Sequence, residues 1–109
     1  MSKKAIFQAE KEKLIEIFQD VENSKRKLVE GLIEDACFLK SENHELKEIL
    51  KETGMVNIHP SNKQLQKPVE AARQYLKNVN SYSVIIKTLN GVLNKNILDD
   101  DEDDLGEFA

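Results

Sequence analysis

RKLVEGLIEDACFLKSENHELKEILKETG, residues Arg26 to Gly54, is the stretch that decides the fold. Within it Leu32, Ala36, Leu39, Asn43, Leu46 and Leu50 are spaced four, three, four, three and four residues apart, the heptad signature of a helix packed along its whole length. Leu28, Val29, Ile33, Cys37 and Ile49 widen this seam into a broad apolar stripe. One slender chain has difficulty covering so wide a stripe, so the pattern points to assembly rather than catalysis. Upstream, Asn23 and Ser24 are N-cap residues, with Lys27 where a capping box would carry Glu or Gln. Downstream, Gly54 is suited to a left-handed C-cap. The helix predicted over Lys25–Thr53 would be about 43 Å long.

The next segment, GMVNIHPSNKQLQK, sets the apolar Met55, Val56 and Ile58 before the turn formers His59, Pro60, Ser61 and Asn62. Its fourteen residues exceed the roughly two to eight usual between bundle helices, which predicts a short hairpin or a binding loop. Pro68 is expected in the first turn of a following helix. There Ala72, Tyr75, Val79, Tyr82, Ile86, Leu89 and Leu93 repeat the three-and-four spacing. Before the decisive stretch, Lys4–Phe18 carries Ile6, Phe7, Leu14, Ile15 and Phe18 at helical spacing. The expectation is an all-α fold, a short N-terminal helix plus a long, coiled-coil-like antiparallel helical hairpin. Residues 1–98 form one helical oligomerisation domain in this reading, and residues 99–109 an acidic disordered tail.

With 109 residues, 33% of them charged, 6% aromatic and none Trp, the chain suits long amphipathic helices better than a thick globule. Its single cysteine, Cys37, has no internal partner, so a reducing cytoplasm is the expected location. No signal peptide is evident. No apolar run approaches the roughly eighteen residues of a membrane span.

The net charge of −4 is unevenly distributed. Residues 1–53 carry 10 basic and 12 acidic side chains, residues 54–98 carry 6 and 1, and residues 99–109 carry none and 7. A basic loop and third helix are thus masked by an acidic end. Candidates for DNA phosphate contact are Lys63, Lys67, Arg73, Lys77, Lys87 and Lys95, since a charged patch can attract a backbone without reading bases. Lys3, Lys4, Lys25, Arg26 and Lys27 make a second patch. Against this stands the plainer reading that lysines on long helices solvate them. Tyr75 and Tyr82 can stack on bases, but their seam positions favour core packing. Asn43 in the seam either specifies register through a buried amide contact or sits partly exposed near a bend. In the tail, Leu105 and Phe108 are candidate anchors for a partner. The tail would dock that partner, repel DNA until it arrives, or simply solubilise the oligomer.

Enzymatic patterns are not found. His44 and His59 have no HExxH or Cys/His spacing, so no metal and no cofactor are expected. The four glycines are scattered and no GKS or GKT occurs, which leaves no phosphate loop. Cys37 sits between Ala36 and Phe38 as a small buried hydrophobe, and the neighbouring Glu34 and Asp35 diverge on a helix.

The order of these segments carries a resemblance. LVEGLIEDACFLKSENHELKEILKETG, a polar loop, KPVEAARQYLKNVNSYSVIIKTLNGVL and an Asp-rich end containing Glu-Phe together resemble the small terminase subunits of tailed bacteriophages and prophages. The resemblance covers about Ile17 onward and rests on the LVEGLI and DA residues and on the KP, Tyr, IIK and Leu elements. It implies a non-catalytic, DNA-binding homo-oligomer, ring-like, in the host cytoplasm. Such a subunit recognises viral double-stranded DNA and hands it to a large terminase subunit that holds the ATPase and nuclease. The chain departs from that family in lacking a clear N-terminal helix-turn-helix. The alternative is a different class, a coiled-coil adaptor or regulator of phage origin that binds only protein.

Overall fold

Ser2 opens the first helix, its hydroxyl accepting a hydrogen bond from the Ala5 amide at 3.1 Å, the usual way of satisfying a free helical N–H. The computed structural model describes residues 2–100, with side chains through Lys95. Its elements are α1 (Lys3–Ile17), α2 (Asn23–Thr53), β1 (Val56–Ile58), β2 (Gln66–Pro68) and α3 (Glu70–Asp100). The fold is all-α, a short N-terminal helix beside a long antiparallel hairpin. At 31 residues each, α2 and α3 run about 46 Å. The radius of gyration is 19.5 Å and the extents are 69 × 34 × 16 Å, against about 13 Å for the radius of a compact domain of 100 residues.

The core gathers at one end. Leu14 and Phe18 of α1, Val21 of the turn, Val29, Ile33, Ala36 and Cys37 of α2 and Leu89 of α3 form one buried cluster. The C-terminal half of α3 therefore lies beside the N-terminal half of α2, as an antiparallel hairpin requires. At the other end Leu50 and Ala72 are the buried apolar residues among the described ones.

A ladder of polar contacts fixes how α1 lies on α2. Lys3 pairs with Glu42 at 2.7 Å and Glu45 at 3.1 Å, and Lys11 with Glu34 at 3.8 Å. The Arg26 guanidinium donates to the Gln19 carbonyl. Each step moves eight residues forward on α1 and its turn and eight back on α2, so the two helices run antiparallel in constant register. The Lys3 ammonium is held above its usual pKa by its hydrogen bonds to Glu42 and Glu45.

Three boundaries differ from expectation. Glu22, not Asn23 or Ser24, caps α2: its carbonyl accepts the amides of Lys25 at 3.0 Å and Arg26 at 2.8 Å, which places Asn23 and Ser24 in the first turn. Pro68 ends β2 opposite Val56 instead of opening α3. A two-stranded ribbon has open edges, and the terminal position of a strand tolerates a missing N–H. The helix α3 continues through Asp100, past the boundary at Leu98, while the rest of the acidic segment lies outside the described residues. The hairpin expectation for the loop holds, and Gly54 ends α2 at φ 73° with its amide on the Leu50 carbonyl at 2.8 Å. That positive φ is why glycine stands there.

Candidate nucleic-acid interface

Between Ala71 and Leu98 the chain has no acidic residue, and α3 disposes its cations on one side. At 100° per residue, Arg73, Lys77, Lys87 and Lys95 fall within about 80° of arc. All four are exposed. The residues expected in the α3 seam lie on the opposite side, with Ala72 and Leu89 buried and Tyr75, Val79, Tyr82, Ile86 and Leu93 half-buried. The core face fixes the rotation of the helix, and so aims the basic arc at solvent. From Arg73 to Lys95 it extends about 33 Å. Glu70 meets Arg73 at 3.8 Å, its side chain 88% exposed, too loose and too wet to neutralise the arc.

Lys63 and Lys67 are also exposed, on the ribbon that caps the hairpin. Lys63 lies in the seven-residue connection between β1 and β2 and Lys67 within β2. The six cations are brought onto the basic half of the hairpin, but along its length rather than at one point. The second patch divides: Lys3 is engaged by two glutamates and Arg26 by the turn before α2.

The residues expected to form an oligomerisation seam are placed in two ways. Ala36, fully buried, and Leu50, 9% exposed, are taken up within the chain, whereas Leu32, Leu39, Asn43 and Leu46 are half-buried. Val29, Ile33 and Cys37, the far side of the stripe, are covered within this chain. Leu28 remains 76%, Phe38 56% and Ile49 48% exposed. Leu105 and Phe108 lie outside the described residues.

Sequence reasoning missed the polar contacts between the helices. Glu10 is a buried acid, 5% exposed. It accepts a hydrogen bond from the Tyr82 hydroxyl at 3.1 Å and pairs with Lys13 at 2.6 Å. Lys40 stands over the Tyr82 ring, 5.3 Å from its centroid, within cation–π range. Burial first, then the negative charge of Glu10 and its hydrogen bond, push the Tyr82 phenol up to about 12. Next to them is a groove of about 270 Å³ where α1, α2 and α3 meet, with Ile6 and Val79 among its lining beside Asn43, His44, Tyr75 and Tyr82. There the shielded Asn43 Oδ1 has no hydrogen-bond partner among the described residues. Tyr75 and Tyr82 thus face this groove, not the basic arc.

Cys37 and His59 each have a local environment of their own. Desolvation, followed by Glu10 and Glu34, raises the Cys37 thiol to about 11, far from an activated thiolate. His59 Nδ1 accepts the Ser61 amide at 3.1 Å. Among the described residues no three His, Cys, Asp or Glu side chains gather to hold a metal, and no helix is long and apolar enough to cross a membrane.

Compared with protein-family models, with curated proteins and with solved structures, the chain matches none.

Proposed function

We propose that this protein is a non-catalytic subunit of viral genome packaging, a small terminase subunit in its role. It binds viral double-stranded DNA, self-associates as a ring-like homo-oligomer and regulates the large terminase subunit, which carries the ATPase and nuclease. The observation that carries the proposal is the solvent-facing arc of Arg73, Lys77, Lys87 and Lys95, on which Glu70 makes only a loose, exposed pair with Arg73. An arc set opposite the core face can touch DNA without any cost to the fold. The exposed Leu28, Phe38 and Ile49 supply surface for self-association. Those same three residues favour the second reading, a coiled-coil adaptor that binds only protein.

Salt dependence separates the two readings. Each phosphate neutralised contributes about −0.9 to the slope of log K against log salt. Four contacts give a slope near −3.6, or about 150-fold weaker binding on going from 50 to 200 mM salt. Fluorescence anisotropy with a 30-bp duplex reads this directly, and Lys77→Ala with Lys87→Ala should flatten the slope by about 2. Failure to bind the duplex at 50 mM salt would sink the DNA role and leave the adaptor. Light scattering on the same samples tests assembly, and a monomer at micromolar concentration would sink the ring.

A further inference from the structure

The ribbon at the tip of the hairpin serves no core. Every residue from Lys51 to Pro68 is exposed. Its two strands pair antiparallel with Val56 opposite Pro68, Asn57 opposite Lys67 and Ile58 opposite Gln66, and the His59 amide continues the ladder to the Leu65 carbonyl at 2.9 Å. Isolated two-stranded ribbons are marginal in water. One held out at the end of a molecule 69 Å long, with no fold to support, is placed for contact with something else.

Its chemistry selects the partner. No acidic residue occurs between Thr53 and Val69, while Lys63 and Lys67 are both there, and in the sequence Glu70 alone separates the ribbon from the basic arc of α3. Side chains alternate between the faces of a strand, which puts Asn57 and Lys67 together on one face as a directly opposed pair, about 5 Å apart at Cβ. Lysine is a donor to the guanine O6 and N7 acceptors, and asparagine matches the acceptor and donor that adenine offers in the major groove. Strands about 4.8 Å apart fit a groove about 12 Å wide and not one of about 6 Å. The intervening connection, His59–Leu65, then carries Lys63 towards the backbone at the groove's edge.

We propose that the β1–β2 ribbon enters the major groove of duplex DNA, with Asn57 and Lys67 reading base edges and Lys63 on phosphate. This inference rests on the DNA-binding reading above, and it divides the work. The α3 arc supplies salt-sensitive affinity, and the ribbon supplies discrimination among sequences, in a chain without an evident helix-turn-helix.

The test uses the full chain at saturating concentration on a mixed-sequence duplex, with dimethyl sulfate reporting guanine N7 in the major groove. The unaltered protein should protect N7. Asn57→Ala with Lys67→Ala should lose that protection and bind about 10-fold more weakly or worse, while Lys77→Ala with Lys87→Ala binds more weakly yet keeps the protection once saturated. Both altered pairs are exposed in the folded chain, so circular dichroism should be unchanged. Bound DNA whose N7 atoms react as in free DNA would overturn the groove assignment and leave DNA binding standing. A ribbon variant that loses oligomer mass but retains protection would overturn it too, making the tip a contact between copies. Absence of any DNA binding by the unaltered protein would overturn both readings at once.

Discussion

Tyr82→Phe is the most incisive single perturbation of this fold, because it deletes one hydroxyl and leaves the ring beneath Lys40 in place. That hydroxyl joins α3 to α1 by a hydrogen bond donated to a Glu10 carboxylate whose side chain is 3% exposed. A hydrogen bond to a charged acceptor contributes about 1.5–3 kcal/mol net. Tyr82 is only half-buried, which argues for the lower end, about 1.5 kcal/mol. In a domain of this size 1 kcal/mol moves Tm by roughly 4–8 °C, so the expected loss is about 6–12 °C. Thermal melts should be run at fixed protein concentration, since assembly would couple Tm to it. Glu10→Gln keeps an acceptor but removes the charge. In the double-mutant cycle with Tyr82→Phe the two should couple by about 1 kcal/mol. Tm within about 2 °C of the parent, or losses additive within about 0.3 kcal/mol, would refute the link between α1 and α3.

Two further predictions follow from burial. Leu89→Ala, at 2% exposure in the main cluster, should cost about 3 kcal/mol in urea unfolding, whereas Phe38→Ala, at 56% exposure, should cost under about 0.5 kcal/mol under dilute conditions. Equal losses would mean that α2 is rotated from the orientation described. Stability should also decline in alkali. The folded chain holds the Cys37 proton to about 11 against 9.0 and the Tyr82 proton to about 12 against 10.0. The unfolded chain releases both first, so these two groups leave stability unchanged below about pH 9 and lower it between pH 9 and 12. For the thiol the loss is at most about 3 kcal/mol. Cys37→Ala should remove the fall that begins near pH 9, and a pH profile identical to the parent's would show that burial of the thiol has been misjudged.

Much of the architecture was legible because it is periodic. The α2 and α3 seams each place buried or half-buried residues where the three-and-four spacing puts them, from Leu32 to Leu50 and from Ala72 to Leu93. The basic arc was equally available, since 100° per residue and the position of the core face fix it. Glu10 was missed although a signal existed: Phe7, Glu10, Leu14 and Phe18 share one stripe at spacings of three, four and four, so an acid stood where an apolar residue was due. Its partner could not be read, because Tyr82 lies 72 residues away and only the hairpin brings the two together. Pro68 misled for a local reason. Proline suits both a helix first turn and a strand terminus, and three-residue strands are too short to show a period of two.

The two ends of the molecule follow different physical rules. Around Leu14, Phe18, Val29, Ile33 and Leu89, three elements share one apolar cluster, and cutting any one side chain should propagate to the others. Beyond Lys47 and Tyr75 only α2, α3 and the ribbon remain, with Leu50 and Ala72 as the buried apolar residues. Regions with few buried contacts open at lower free energy than the global transition. A ribbon held there can adjust to a partner without disturbing the cluster that sets the register of the hairpin. Changes at Asn57, Lys63 or Lys67 should therefore leave global unfolding nearly untouched. A loss of binding in such variants then belongs to the contact itself and not to a damaged fold.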